Sequence, residues 1–401
     1  MGITVFPAAA SGGSSYSTQP PATASSVLQD GQLVSSSLHA SNIAGTGAPW
    51  LLYANGSSGA TFTIGANTYS VPAGATVGTN ALTGSQSVIV SANYTNLPPI
   101  TWTAATMPGS TLNWFSVASG FIGSTNYFVA VVNGSSTGAY STNNGATWTS
   151  STMPGSNLAW QGVTYGNGYF VAVAGNGTGA YSTDGITWTA STMLSNSTSW
   201  RGVGYGNGYF IAVNNGSSTA AAYSTNGSTW TSSTLPSANN WYSVAYGNGI
   251  YIAVTSVSSG AYSTNGTTWT AMTFPNSNFR ISIVFGKNNF VSLGYTTSVS
   301  NYSSNGIYWN TGTLPATGSW YSVTYGSGMF VAVQSAGGTT SLYSYDGITW
   351  TSFNLSYGGS AVTYGNGSFV AVNGSGSSNY FAQTALTPVA YGIYNGATTT
   401  H

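Results

Sequence analysis

The sequence predicts an all-β chain whose main body is a seven-bladed β-propeller, closed by a strand around Trp102 that completes the last blade. Three observations predict it: a four-part unit recurs seven times between residues 99 and 384, each copy spans about 40 residues, and its parts read as short strands separated by glycine turns. Four strands in that length is the size of one propeller blade.

The first part of the unit runs from a bulky residue to a glycine. Its clearest copies are Trp160-Gln-Gly-Val-Thr-Tyr-Gly166, Trp200-Arg-Gly-Val-Gly-Tyr-Gly206, Trp241-Tyr-Ser-Val-Ala-Tyr-Gly247 and Trp320-Tyr-Ser-Val-Thr-Tyr-Gly326, with degenerate copies beginning at Trp114, Arg280 and Gly359. The second part is a short apolar run such as Tyr169-Phe-Val-Ala-Val173 or Phe330-Val-Ala-Val333. β-Branched and aromatic residues in such runs favour strands. The third part is typified by Ala180-Tyr-Ser-Thr183 and the fourth by Thr187-Trp-Thr189, joined through Asn-Gly or Asp-Gly. Those dipeptides supply the positive φ angles of tight hairpins.

The fourth-part tryptophans fall at Trp102, Trp148, Trp188, Trp230, Trp269, Trp309 and Trp350. Parts one to three occur seven times, yet a tryptophan-bearing fourth part follows only six of them; the remaining one, Thr101-Trp-Thr103, precedes the array. The expectation is therefore that the N-terminal strand closes the ring and removes an exposed sheet edge. Ahead of it, residues 1–48 read as an extended arm, and residues 49–98 as a small β-rich attachment domain ending at Pro98-Pro99. Residues 385–401 are too short for a domain and read as a C-terminal tail.

At the third hairpin the unit resembles the Asp-box, or BNR, repeat of sialidase-like propellers, Ser-x-Asp-x-Gly-x-Thr-Trp. Ser141-Thr-Asn-Asn-Gly-Ala-Thr-Trp148 matches it in length with Asn143 in the Asp place, while copies such as Ser182-Thr-Asp-Gly-Ile-Thr-Trp188 and Ser344-Tyr-Asp-Gly-Ile-Thr-Trp350 are one residue shorter. The resemblance covers residues 101–384 and implies the fold. In that family the boxes are structural turns away from the active site, so it implies no activity.

Composition limits what the chain can do. It holds three basic residues, Arg201, Arg280 and Lys287, and three acidic ones, Asp30, Asp184 and Asp346, with no Glu and no Cys. A nucleic-acid reader needs a row of cations for the phosphates, so nucleic acid is excluded as a main partner. No run of about 18 apolar residues reads as a membrane span, and Met1–Ala10 shows no secretory signal pattern. Without Cys, thiolate metal sites and disulfides are absent, and His39 and His401 have no neighbouring ligands to make a metal site. Glycoside hydrolysis by the usual route needs two carboxylates about 5–10 Å apart, whereas Asp184 and Asp346 occupy equivalent turns of different blades. No catalytic residue, cofactor or metal is expected, and Gly166-Asn-Gly168 and its copies read as hairpin turns rather than phosphate loops.

The candidate ligand-binding residues come from aligning the copies on their Tyr-Gly. One column reads Trp114, Trp160, Trp200, Trp241, Arg280, Trp320 and Gly359, and the next reads Phe115, Gln161, Arg201, Tyr242, Ile281, Tyr321 and Ser360. Propeller topology sets both on the face that carries the second-to-third-strand loops. Trp114, Trp160, Trp200, Arg201, Trp241, Tyr242, Arg280, Trp320 and Tyr321 are accordingly candidates for stacking on sugar rings, against the competing reading that the tryptophans wedge between blades.

The Ser/Thr/Gly/Asn-rich sequence and its arm-plus-propeller layout resemble phage fibre and decoration proteins. That resemblance implies a virion location, contacts to other virion proteins through residues 1–98, a host-surface glycan or receptor on the propeller, and a homo-oligomeric or multicopy assembly. A secreted bacterial adhesin or lectin, and a degenerate sialidase-like hydrolase, are the alternatives.

Overall fold

The computed structural model describes residues 102–383, apart from 110, 195–198, 336–337, 356–357 and 375–377, together with strands at Trp50–Tyr53, Ala60–Ile64, Asn67–Val71, Ala75–Leu82, Ser85–Ala92 and Tyr394–Asn395. The arm expected over 1–48 lies outside the described residues. The chain divides into two compact units, Ile100–Thr384 and a second made of Met1–Pro99 with Ala385–His401.

The larger unit is an all-β propeller. Its first blade is a meander of Trp114–Ile122, Thr125–Val132, Thr137–Ser141 and Thr149–Thr152, innermost strand first. Five more four-stranded blades follow, with innermost strands Trp160–Gly166, Trp200–Gly206, Trp241–Gly247, Phe279–Gly286 and Trp320–Gly326. The expectation of a seven-bladed propeller is corrected here: six blades are built from consecutive strands. The remaining sheet is composite. Ala361–Gly365, Ser368–Val372 and Ser378–Gln383 run in order, and Thr103–Thr106 pairs antiparallel with the last of them, Ser378 facing Thr106 and Phe381 facing Thr103. Among the described residues no later strand joins this sheet, and its outer position is taken by chain from the other end.

Each innermost strand turns into the second through Gly-Asn-Gly or a variant. Asn167 and Gly168 both adopt positive φ, 48° and 81°, as a two-residue hairpin with the primed twist requires. The third and fourth strands are joined by a polar network. In blade two the Ser182 hydroxyl donates to Asp184 Oδ1 at 2.9 Å, and the same carboxylate oxygen accepts from the Ile186 and Thr187 amides at 2.8 and 2.7 Å. Asn226, Asn265 and Asn305 accept the matching pair of amides in their own blades. An amide oxygen thus replaces the carboxylate, which is why the sequence alternates between the two.

The core lies between blades. The middle of each second strand is buried on both faces, as in Phe170–Ala174. Each innermost tyrosine packs its ring on a glycine of the preceding blade, Tyr205 on Gly166 and Tyr246 on Gly206. The composite sheet meets blade one differently: Ser119 takes the ring's place opposite Gly365, its hydroxyl donating to Asn126 Oδ1 at 2.9 Å.

In the other unit, Trp50–Tyr53, Ala75–Leu82, Ser85–Ala92 and Tyr394–Asn395 form one sheet in that order, and Ala60–Ile64 pairs with Asn67–Val71 as a hairpin. The tail read over 385–401 contributes one strand to this sheet, Tyr394 pairing with Val88 and Asn395 with Ser87.

Candidate binding site

The two columns singled out from the sequence have opposite fates, and a backbone irregularity separates them. In every consecutive-strand blade, one extra residue is inserted at the start of the innermost strand. In blade three, Trp200 faces Asn214 and Gly202 faces Val213, leaving Arg201 with no partner across the ladder. Such a bulge releases one residue from the pleat and re-aims its side chain. Here the released residues are Phe115, Gln161, Arg201, Tyr242, Ile281 and Tyr321.

The residue before the bulge turns into the protein. Trp114, Trp160, Trp200, Trp241 and Trp320 are all 0% exposed, so the expectation that they stack on sugars is corrected. Trp200 shows why: it packs with Val171, Val173 and Met193 of one blade and Phe210 and Ala212 of the next. Trp114 does the same at the junction with the composite sheet, against Val370 and Val372. These rings are wedges between blades.

Arg280, the fifth blade's occupant of that column, is 1% exposed and is likewise removed from the candidates. Its guanidinium donates to the carbonyls of Val257, Asn278 and Asn276 at 2.8–2.9 Å, its Nε donates to Asn301 Oδ1 at 3.0 Å, and it lies 3.9 Å from the Phe274 ring centre. Burial pushes its pKa down, to about 9. The side chain fills a tryptophan's place and anchors a loop.

The bulge residues face a central cavity of about 130 Å³ lined by Phe115, Gln161, Arg201, Tyr242, Tyr321 and Ser360, among others. Arg201 is its cationic group. The guanidinium lies 4.6 Å from the Tyr242 ring centre and 5.3 Å from that of Phe115, and Nη1 donates to Gln161 Oε1 at 3.4 Å. Burial lowers its pKa, against an upward pull from the Tyr242 and Tyr321 phenols. Tyr242 is raised, chiefly by burial, with Arg201 drawing it back.

Close backbone packing positions this arginine. A Cβ on Gly162 would lie 2.5 Å from the Arg201 carbonyl oxygen, and one on Gly202 would lie 2.7 Å from that of Tyr242. Blades two to four therefore approach main chain to main chain beside Arg201, which only glycine permits. Ser116, Ser282 and Ser322, in the same column as these glycines, instead accept hydrogen bonds of 3.1 Å from the Val163, Val323 and Val362 amides.

Two site residues escaped the sequence reading. Tyr242 meets Phe279 edge-on at 4.9 Å, Phe279 meets Tyr295 at 6.0 Å, and Tyr295 meets Tyr321 at 6.0 Å, so Phe115, Arg201 and these four rings form one arc. Tyr295 is 45% exposed and offers the arc's open face. Phe279 precedes the aligned column, and Tyr295 ends the fifth blade's second strand, beyond the aligned Phe290-Val-Ser-Leu293 run, where it pairs with Phe279; its departure from the small residues at that place in the sister copies was the available signal. Asp184 and Asp346 sit in third-to-fourth-strand turns, and strand alternation sets those at the other end of the blades from the bulges.

Solved structures share this fold. Virginiamycin B lyase from Staphylococcus aureus is 10% identical, with a TM-score of 0.62, covering 71% of this chain and 99% of that one. YCF48 bound to D1 peptide is 17% identical, with a TM-score of 0.56, covering 72% and 96%. YCF48 from Cyanidioschyzon merolae is 15% identical, with a TM-score of 0.56, covering 70% and 98%. At such identities the likeness shows a β-propeller and nothing finer. No family model and no curated protein sequence matches the chain.

Proposed function

We propose that the protein is a non-enzymatic binding protein of a phage virion, of the fibre or decoration type, held on the particle through residues 1–98 and turning its propeller toward a host-surface glycan. The observation that carries the binding reading is the arc of Phe115, Arg201, Tyr242, Phe279, Tyr295 and Tyr321 around a polar cavity. Aromatic faces beside hydrogen-bonding groups suit sugar rings, which are apolar on one face and polar at the rim. A chain with 1% charged residues binds mainly through contacts that salt barely weakens. Many copies on one particle would multiply individually weak contacts.

The Asp-box reading is supported by the turn network, in which Ser182 and Asp184, or Ser224 and Asn226, hold the third hairpin closed. In that reading the carboxylates are structural acceptors. Asp184 and Asp346 each accept backbone hydrogen bonds within their own turns, one in blade two and one in blade six, so they do not flank a common bond. The lyases are distant relatives in shape, and their activity is not carried over. YCF48 is described with a peptide bound, which makes peptide the competing ligand class.

The test is a glycan array probed with the full chain, together with immunogold labelling of particles and a fluorogenic glycoside panel. Binding to a defined glycan set, gold on particles and no turnover are the expected results. Label on bacterial surfaces instead of particles would favour a secreted adhesin, and sustained turnover of any glycoside would overturn the non-enzymatic reading.

A further inference from the structure

Two arginines in the same propeller, Arg280 buried and Arg201 half-buried, are treated differently by their surroundings. A guanidinium has five N–H donors, and removing its charge from water costs several kcal/mol unless hydrogen bonds or an opposite charge offset it. At Arg280 the offset is complete, with three backbone carbonyls, the Asn301 amide oxygen and the Phe274 face around it. Among the described residues, Arg201 has one hydrogen bond, at 3.4 Å to Gln161, and two aromatic faces. Among the described residues no carboxylate acts on it; the acidic groups that do are phenols. The side chain lines the cavity.

We propose that Arg201 recognises one oxyanion group, a carboxylate or sulfate, carried on the sugar that lies along the Tyr242–Tyr321 arc. The inference rests on the glycan-binding reading and adds the ligand's charge to it. The planar guanidinium matches the two oxygens of such a group by paired hydrogen bonds. The guanidinium lies over the Phe115 and Tyr242 rings, and Gln161 Oε1 accepts a hydrogen bond from its Nη1. The cavity volume of about 130 Å³ accommodates an oxyanion with its neighbouring waters rather than a whole sugar ring. The ring itself then rests outside, where Tyr295 is open. A second oxyanion finds no partner, since the cavity lining contains a single cation.

The experiment uses the full chain and an array holding matched neutral, carboxylate-bearing and sulfated versions of the same oligosaccharides, with an Asp/Glu-rich peptide set alongside. Arg201→Gln is the variant, because Gln161 already occupies the equivalent bulge in the neighbouring blade. Wild type is expected to bind acidic members at least tenfold more tightly than their neutral partners. Arg201→Gln should abolish that difference, and the carboxylate and sulfate arms identify which oxyanion is read. Equal binding of neutral and acidic members by wild type overturns the oxyanion inference while the glycan reading stands. Binding to peptides alone, or to nothing on either set, overturns both.

Discussion

The ring of innermost strands depends on aromatic side chains that seat on bare backbone, and Gly166 opposite Tyr205 isolates that effect. Gly166 has no left-handed φ, so alanine suits its backbone and would ordinarily gain about 0.5–1 kcal/mol within a strand. A Cβ there would stand 2.0 Å from Tyr205 Cγ, where carbon atoms normally keep about 3.5–4.0 Å. The ring cannot retreat freely, since it leans on Phe210 at 4.8 Å. Gly166→Ala should therefore cost about 3 kcal/mol, the upper part of the usual overpacking range. For a domain of this size that is a fall in Tm on the order of 6–12 °C. Tyr205→Ala alone should cost about 2–3 kcal/mol, less than a fully buried ring, because Tyr205 is only half-buried. In the double variant the clash disappears, so it should be no less stable than Tyr205→Ala. Urea titration followed by tryptophan fluorescence measures all three. Additive losses, or a neutral Gly166→Ala, would refute the argument that ring-on-glycine contact sets blade spacing.

Arg280→Ala should be among the most damaging single changes, about 3–5 kcal/mol, because it leaves the carbonyls of Val257, Asn278 and Asn276 and the Asn301 amide unpaired in the interior; the urea midpoint reports it, and a loss below about 1 kcal/mol would mean that the loop finds other donors. Asp184 and Asp346 should dominate acid sensitivity: burial works to raise both pKa values, but backbone amides and serine hydroxyls outweigh it and leave both low. Because their folded-state pKa values are depressed, the stability they confer is fully present above the ordinary carboxylate range and is lost as pH falls through the lowered folded values. Replacing both with Asn, the residue used in sister blades, should flatten Tm between about pH 5 and 2; a variant as acid-sensitive as wild type would reassign the effect.

The blade repeat was legible because each strand buries the same faces and each turn needs the same residues. Tyr-Gly, Phe-Val-Ala-Val and Ser-x-Asp-Gly mark an inter-blade seat, a buried second strand and a hydrogen-bonded hairpin. The missing fourth strand was traceable to the Trp102 region, where Thr103–Thr106 pairs with Ser378–Gln383, whereas the count of seven like blades was not met. The site was legible only in part. The two aligned columns held its residues, but sequence spacing cannot show a bulge, and without the bulge Trp200 and Arg201 exchange meanings. Side-chain alternation across an unbroken strand gives no reason to bury one column throughout and direct the next into the cavity. Phe279 and Tyr295 were invisible for another reason: the arc is made across blades by residues outside the repeated core.

The bulge also separates what the propeller must conserve physically from what it is free to vary. A residue inside the ladder is fixed by its cross-strand partner and by the next blade, as Trp200 is by Val171, Val173 and Phe210. A bulge residue has no such partner, and the same position accordingly holds Phe115, Gln161, Arg201, Tyr242, Ile281 and Tyr321 in successive blades. Removing a fully buried tryptophan costs about 3–5 kcal/mol, whereas substitutions free of buried contacts usually stay within about 0.5 kcal/mol. Trp200→Ala should therefore lower the urea midpoint strongly while the chain that remains folded keeps its ligand. Arg201→Gln should leave the midpoint nearly unchanged and alter binding instead. Adjacent residues would then report opposite properties, and a large stability loss at Arg201 with none at Trp200 would show that the bulge does not divide the strand's structural role from its binding role.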